Sequence, residues 1–215
     1  MTRDKDEKLS SGSPAGTGDG NGSGAEDGAR AAILNAFIAL AGEHGYSAVR
    51  IADVASHAGM SRQNLYRYFR NREELYRATL DELFDRFWQQ AEPLFQHFDD
   101  SLSERINLMA MVLAEQHPDI LRLITDPTQH HLSLNLLRRY FARILGALLR
   151  QQGIARVDRA RMEMVVSTVA GASLAGLHEW VASDMQLPAA DMARIMSHIF
   201  NGRVLELVTH SAVRE

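Results

Sequence analysis

Apolar residues recur at the three- and four-residue spacing of an amphipathic helix over most of the chain. In the first such segment Ile33, Phe37 and Ala41 share one face, and Gly45 follows as a helix stop. No segment alternates between apolar and polar residues with the period of a strand. The pattern therefore predicts an all-α fold. The expected helices, about nine in number, lie at about residues 29–44, 51–58, 62–69, 72–92, 103–116, 118–126, 132–152, 158–183 and 188–209.

Several of these helix ends are marked by residues that favour an end. Ser61 precedes the third helix, where its hydroxyl is expected to accept a bond from a free backbone N–H. Asn71 precedes the fourth helix with Glu74 three residues later, which is the arrangement of a capping box. Pro93 is expected to end that helix, because proline disfavours helical geometry in the residue before it. Pro118 suits the first turn of another helix, since it has no N–H to leave unsatisfied.

The N-terminal segment, residues 1–28, has a different composition. Seven of the fifteen glycines lie in the first 29 residues, and the segment offers almost no large apolar side chains for a core. Because it cannot offset the entropy of ordering, we expect a disordered tail. Its glycine-rich run at 16–24 follows no apolar strand, which argues against a phosphate-binding loop. The rest of the chain is expected to form two helical domains, at 29–75 and at 76–215.

Composition and charge narrow the class of protein. With 215 residues, 46% of them hydrophobic, the chain is long enough to bury a core. It has no cysteine, which excludes disulfides and thiolate metal or redox sites. The net charge of −4 excludes binding to nucleic acid by overall positive charge alone. The first 29 residues hold no apolar targeting stretch, and the uncharged segment 164–177 is too short to span a membrane. We therefore expect a cytoplasmic protein with no membrane partner.

The segment 51–69 has the organisation of a helix-turn-helix. Two short helices are joined by a tight turn that contains Gly59. The second helix carries mostly polar side chains, with only Leu65 and Phe69 clearly apolar. Arginine pairs with guanine through two hydrogen bonds, and asparagine and glutamine pair with adenine. Residues 50–72 hold five arginines and one acidic residue, which predicts a basic face for duplex DNA on an otherwise acidic protein.

Four short segments resemble the DNA-binding domain of TetR-family transcriptional regulators. They are Gly-Tyr at 45–46, Val-Ala-Ser-His-Ala-Gly-Met-Ser at 54–61, Leu-Tyr-Arg-Tyr-Phe at 65–69 and Asn-Arg-Glu-Glu-Leu at 71–75. The resemblance is specific, because several fixed spacings agree at once. In the C-terminal part it is limited to the number of helices and one weak run at 176–180. The resemblance implies a homodimeric, usually repressing regulator that binds a pseudo-palindromic DNA operator, responds to a small molecule and is not an enzyme. It also implies that residues 29–75 form the helix-turn-helix DNA-binding domain and residues 76–215 the effector and dimerisation domain.

The resemblance also implies roles for single residues. Ser61, Tyr66 and Tyr68 match family positions that contact a phosphate or a base of the DNA. Arg72 matches a position, usually lysine, that meets the DNA backbone. The full set of predicted DNA-binding residues is Arg50, Ser61, Arg62, Gln63, Asn64, Tyr66, Arg67, Tyr68 and Arg72.

Two features of this set limit what the family implies. Gln63 and Asn64 match variable base-reading positions, so the operator sequence does not follow from the resemblance. Arg50 replaces the serine or threonine that usually caps the second helix. That cap is therefore expected to be lost, although Arg50 is able to reach a phosphate itself and Asp53 still favours the helix N-terminus.

The helices after residue 100 are rich in methionine and aromatic residues. Such residues either pack in a core or line an adaptable pocket, and for any single one the core is the commoner place. The family resemblance implies some pocket, with a hydrophobic or amphipathic effector. The candidate ligand-binding residues are Met109, Met111, His117, Tyr140 and Trp180.

The last two long helices are expected to form the dimer interface. One copy of the recognition helix reads only one half-site, so a full operator needs two subunits. Two helices from each subunit would build a four-helix interface. The candidate interface residues are Val165, Val169, Ala172, Gly176, Ile195 and Ile199.

Other kinds of site fit the sequence less well. The run Gly-Ala-Ser-Leu-Ala at 171–175 nearly matches the nucleophile turn of an esterase, but no strand precedes it. His130 and His131 are adjacent and point apart on a helix, and no two histidines are four residues apart, which argues against a metal site. We expect neither metal nor cofactor. The alternatives are a helical enzyme or metal-dependent binding protein with an incidental helix-turn-helix, and a regulator that answers to a partner protein. Steep salt dependence of duplex binding would exclude the first.

Overall fold

The chain is a bundle of helices, as the apolar pattern predicts. The computed structural model describes residues 20–96, 99, 101–154, 156–199 and 207–208. Within those residues there are nine α-helices and no strand. The helices are α1 (Gly20–His44), α2 (Ile51–His57), α3 (Arg62–Tyr68), α4 (Arg72–Ala91), α5 (Leu102–Gln116), α6 (Pro118–Ile124), α7 (His130–Gln151), α8 (Arg159–Ala182) and α9 (Ala189–Ile199), with short 3-10 turns at Tyr46–Ala48, Glu92–Gln96 and Pro127–Gln129.

The structure confirms the predicted end signals at the N-termini and at the C-terminus of the helices concerned. Gly45 ends α1 with a φ of 78°, a conformation that favours glycine. Asn71 Oδ1 accepts a hydrogen bond from Glu74 N at 2.8 Å. Glu74 Oε2 in turn accepts from Arg70 N at 2.7 Å, so the capping box closes one residue earlier than its usual form. Pro118 occupies the first turn of α6.

The first helix begins earlier than the sequence predicts. α1 starts at Gly20 rather than near Ala29, so residues 20–28, which were expected in a disordered tail, are helical. Adding a residue to an existing helix costs far less than nucleating one, which explains how a glycine-rich segment extends α1. The remainder of the predicted tail, residues 1–19, lies outside the described residues, as does most of the predicted last helix beyond Ile199.

One hydrophobic core joins the N-terminal helices to the rest of the bundle. Tyr76 of α4 is fully buried, and its hydroxyl donates to Leu123 O at 3.0 Å. The same hydroxyl shares a hydrogen bond of 2.7 Å with Ser133 Oγ. Its ring packs edge to face on Tyr46, with ring centres 5.2 Å apart. The expected domain boundary after residue 75 falls inside α4, so a single helix belongs to both predicted domains.

A second junction lies where α6 crosses α1. A Cβ atom built on Gly42 would overlap Asp119 Cβ and lie 2.8 Å from Asp119 Cα. Only glycine allows this approach, because an added methyl group would overlap both side chain and backbone. Beside it, Tyr46 N donates to Asp126 Oδ2 at 3.0 Å, which ties the turn before α2 to the end of α6.

The apolar surface of α7 is wider than a single buried stripe. Four of its apolar residues are only half-buried, namely Leu137, Phe141, Ile144 and Leu148. The helix packs against both α4 and α8, so its apolar surface is divided between two neighbours. Its buried residues are Leu132, Ser133, Leu136, Tyr140, Leu145 and Leu149.

Candidate nucleic-acid interface

The helix α3 is anchored by a few apolar residues and leaves its polar side chains outside. Leu65 is fully buried and Phe69 nearly so, within the core that α1 and α2 also form. The turn between α2 and α3 contains Gly59 with a φ of 68°, which favours glycine. Ser61 Oγ accepts from Asn64 N at 3.1 Å, as predicted for the cap of this helix. The result is a short rigid helix with a polar outer face.

The structure gathers most of the predicted DNA-binding side chains on this one face. Tyr66 is 46% exposed although it is large and aromatic. Asn64 and Tyr68 are half-buried. The other predicted residues of this face are exposed, namely Ser61, Arg62, Gln63 and Arg67.

Arg50 lies at the start of α2 beside this face. It is the N-cap residue, it is exposed, and its side chain makes no capping hydrogen bond. The expected loss of the cap is therefore confirmed. Asp53 occupies the first turn of α2, where a negative charge favours the helix N-terminus.

Arg72 has a structural role that the sequence did not reveal. Its Nη1 donates to three backbone carbonyl oxygens, those of Tyr46 at 3.1 Å, Ser47 at 2.8 Å and Val49 at 3.0 Å. Its guanidinium carbon lies 4.2 Å from the centre of the Tyr46 ring. The predicted contact with DNA phosphate stays a prediction. The sequence signal for this structural role was an arginine at a position where the family usually has lysine. Only arginine has a planar guanidinium group that can donate several hydrogen bonds and also stack on an aromatic ring.

The candidate ligand-binding residues do not form one site in this structure. Met111 and Trp180 share a core cluster between α5, α8 and α9. Met109 packs in another cluster with Trp88 and Phe95. His117 is exposed at the junction of α5 and α6.

Tyr140, the remaining candidate, belongs to an aromatic cluster with α4. Its ring packs edge to face on Phe84 and Phe87, with ring centres 4.7 and 5.4 Å away. Burial raises the pKa of its hydroxyl far above the ordinary value for tyrosine. Tyr140 therefore has the surroundings of a core residue. A role of the five candidates in binding an effector stays a prediction.

One of the proposed dimer-interface residues packs within its own chain. A Cβ on Gly176 would lie 2.8 Å from Met196 Cε and 3.4 Å from Met192 Cε, so this small residue allows α9 to pack closely on α8. Its predicted place in a dimer interface stays a prediction. The other candidates range from buried to exposed: Val169 is buried, Val165 half-buried, and Ala172 and Ile195 exposed, while the side chain of Ile199 lies outside the described residues.

A groove of about 510 Å³ lies between α7 and α8, and no sequence pattern pointed to it. Its walls carry three arginines, one glutamate and one asparagine around an apolar floor. The lining residues are Asn135, Arg138, Arg139, Ala142, Arg159, Met162, Glu163 and Val166.

Two kinds of feature are absent from the described part of the chain. No three histidine, aspartate or glutamate side chains there are grouped so as to hold a metal ion. None of the helices found there is both long and apolar enough to cross a membrane.

Comparison with known proteins supports the helix-turn-helix directly. Residues 33–79 match the family model for bacterial regulatory proteins of the tetR family. Over 58 residues the chain is 41% identical to the HTH-type transcriptional repressor ComR of Escherichia coli strain K12. That alignment covers 27% of this chain and spans only 28% of the repressor.

Solved structures of regulators share the fold over most of the chain. The fatty acid degradation regulator FadR from Bacillus halodurans superposes with a TM-score of 0.64 at 18% identity, over 80% of this chain and 94% of that one. FadR from Bacillus subtilis, in complex with stearoyl-CoA, gives a TM-score of 0.62 at 16% identity, over 85% and 99%. These structures share the fold of the helical bundle as well as that of the N-terminal helices. Through residues 33–79, this chain is therefore similar to the bacterial regulatory proteins of the tetR family.

Proposed function

We propose that this protein is a homodimeric transcriptional repressor that a small molecule releases from its DNA operator. The observation that carries the proposal is the polar face of α3, held outward by the buried Leu65 and Phe69. A helix of this kind fits the major groove, where arginine, asparagine and glutamine side chains distinguish base pairs. We assign base reading to Gln63 and Asn64, and phosphate contacts to Arg50 and the two tyrosines of the face.

Charge supports binding to a duplex. Arg50, Arg62, Arg67 and Arg70 are all exposed around α3, although the whole chain is acidic. Each phosphate that they neutralise releases counterions, so the logarithm of affinity should fall with the logarithm of salt concentration by about 0.9 per contact. The binding target is DNA, so we place the protein in the cytoplasm.

Dimerisation is needed because half-sites lie about one helical turn of DNA apart, roughly 34 Å. The structure suggests a revised interface on α8, where Met164 is 69% exposed and Thr168, Ala172 and Ala175 continue the same face. The exposed Ile195 of α9, at 48%, supplies a second apolar contact. Two copies of these faces would make a self-complementary four-helix interface and read a pseudo-palindromic operator.

Release requires that the effector favour one spacing of the two α3 helices over another. The described structure offers two connections for such a signal. One is α4, which begins beside α3 and carries Tyr76 into the bundle core. The other is the contact of Gly42 with Asp119, where α6 meets α1. A small hydrophobic or amphipathic effector is consistent with the stearoyl-CoA bound to the Bacillus subtilis neighbour.

The proposal is tested by footprinting and fluorescence anisotropy on the DNA upstream of the protein's own coding region. We expect protection of a pseudo-palindromic site, a steep loss of affinity with salt, and at least about 1,000-fold preference over a scrambled duplex. Equal binding to both duplexes would contradict sequence-specific regulation. No binding to either would favour the alternative that the helix-turn-helix is incidental.

A further inference from the structure

The groove between α7 and α8 combines positive charge with an apolar floor. Ala142 of α7 and Met162 and Val166 of α8 form the floor. The arginines 138, 139 and 159 stand on the walls with a single carboxylate, that of Glu163. A neutral ligand would form weaker hydrogen bonds with the arginines than an anion, and inorganic phosphate has no apolar part to place on the floor. The lining therefore matches a molecule with one anionic end and an apolar body.

The three arginines differ in their partners. Arg159 pairs with Glu163 at 3.1 Å on the same helix. Arg139 pairs with Asp81 of α4. Within the described residues, Arg138 has no carboxylate at salt-bridge distance, although it stands on a wall of the groove. Its guanidinium thus has donors available for an anion without breaking an existing pair.

The groove stays open in the dimer that we propose. Met162 and Val166 line the groove, whereas Met164 and Thr168, each two residues further on, belong to the proposed dimer face. Residues two apart on an α-helix point about 200° away from each other. The two surfaces therefore lie on opposite sides of α8.

We propose that this groove is the effector site, and that its ligand is an amphipathic anion with a carboxylate or phosphate head and a short aliphatic body. The head binds Arg138 and Arg139, and the body lies on the floor. The volume of about 510 Å³ is in the range of pockets for small organic ligands. This inference deepens the proposed function and rests on it for its regulatory part.

The regulatory part follows from the position of Arg139, which belongs to the groove and to the contact between α7 and α4. Arg139 pairs with Asp81, and one turn further along both helices Arg143 pairs with Asp85 at 3.1 Å. Both pairs are exposed, and such pairs are weak enough to exchange partners. An anion that takes Arg139 from Asp81 loosens α7 from α4, the helix that begins beside α3.

Binding is tested first, without DNA, by calorimetry on the full chain. The probes are decanoate, decyl phosphate, decanol and inorganic phosphate. We expect saturable binding of at least one of the two aliphatic anions, one per protomer, and at least about tenfold weaker binding of decanol and of inorganic phosphate. The comparison of decanoate with decyl phosphate identifies the preferred head. Decanol binding as tightly as the better anion, or no saturable binding of either anion, would overturn the site.

Variants then locate the bound anion. Arg138→Gln should weaken the better anion about tenfold, whereas Arg150→Gln, on the same helix but outside the groove, should leave its affinity unchanged. Arg138 is exposed, so its replacement should not affect folding, and circular dichroism checks this. Ala142→Phe, which fills the floor, should abolish binding. Unchanged affinity in both Arg138→Gln and Ala142→Phe would place the anion elsewhere.

The regulatory part is tested by operator affinity in the presence of the better anion. We expect about fivefold weaker operator binding by the wild type, in keeping with an exposed ion pair. Asp81→Asn should show weakened operator binding without the anion and little further response to it. Anion binding with unchanged operator affinity would contradict the coupling. Anion binding that depends on Arg138 in a protein that binds no DNA would instead contradict the proposed function and leave the site standing.

Discussion

The guanidinium of Arg72 lies over the ring of Tyr46, with the guanidinium carbon 4.2 Å from the ring centre. Its Nη1 also donates to the Tyr46 carbonyl oxygen at 3.1 Å, and to the carbonyls of Ser47 and Val49. Arg72 begins α4, and Tyr46 begins the turn before α2. The contact therefore joins the two elements that flank the helix-turn-helix, and it satisfies carbonyl oxygens that so short a turn leaves with few partners.

We expect Arg72→Ala to lower the free energy of unfolding by about 2 kcal/mol, because charge-assisted hydrogen bonds and a cation–π contact are lost together. Arg70→Ala, at the exposed neighbouring arginine, should change it by less than about 0.5 kcal/mol. Urea unfolding at equilibrium measures both. Equal stability of the two variants would show that the Arg72 contacts contribute nothing to the fold.

Gly42→Ala should destabilise the protein by about 1–3 kcal/mol, because its Cβ would overlap Asp119 and force α1 away from α6. Gly28→Ala on the same helix has no neighbour within 4 Å and should raise stability by up to about 1 kcal/mol. Thermal unfolding of both variants separates the steric effect from the helix propensity. If both variants gain stability, α6 does not pack on α1 as closely as described.

Asn64→Ala should weaken operator binding by about 1–3 kcal/mol and relax the preference at one base pair, because a base contact is lost. Arg50→Ala should instead weaken all duplexes alike and reduce the salt slope by about one. Anisotropy titrations against single-base operator variants at several salt concentrations measure both effects. Similar loss of sequence preference in both variants would contradict the assignment of base and phosphate contacts.

Ala172→Arg should convert the dimer to monomers and reduce operator affinity at least about tenfold, because a charge would be buried at the α8 face. Ala25→Arg, at an exposed alanine of α1, should leave the dimer intact. Sedimentation velocity at micromolar concentration distinguishes the two. A dimeric Ala172→Arg protein would place the interface elsewhere.

The stability of the protein should fall in strong alkali because of Tyr76. Burial raises the pKa of its hydroxyl to about 12, whereas the unfolded chain has the ordinary value of about 10. The stabilising contribution is complete below pH 10 and is lost as the pH rises towards 12, at up to about 1.4 kcal/mol per pH unit. Burial of Tyr140 acts in the same direction.

Tyr76→Phe should therefore reduce the alkaline slope without removing it. At pH 7 the same variant should lose about 1–3 kcal/mol, because Leu123 O and Ser133 Oγ lose their partner in the core. Urea unfolding between pH 7 and 11.5 measures both quantities. A slope identical to that of the wild type would mean that Tyr76 ionises as freely in the folded protein as in the unfolded one.

The local signals in the sequence predicted the helices and the DNA-binding face well, because caps, stops and apolar period act over a few residues. Ser61, Asn71 and Gly45 end or begin helices where expected. The buried Leu65 and the polar residues around it were visible as a pattern along one helix. The beginning of α1 was missed because nothing in its glycine-rich segment marks where an existing helix stops growing.

No local signal in the sequence predicted the contacts between distant segments of the chain. Gly176 is predicted at a dimer contact, whereas its closeness to α9 depends on how α8 and α9 pack. The four-residue spacing shows only that the two arginines, 139 and 143, share one face of α7. In the same way, the two aspartates, 81 and 85, share one face of α4. That the two faces meet is a property of the packed bundle.

The sequence by itself determined that this chain is helical, that it carries a helix-turn-helix, and that residues 62–68 present a polar face, because backbone hydrogen bonding and helical period are local. Only the tertiary structure decided that Arg72 supports the turn before α2, that the effector-domain candidates lie in separate clusters, and that a groove with three arginines opens between α7 and α8. These features depend on side chains far apart in the chain, whose neighbours are set by the way whole helices pack together.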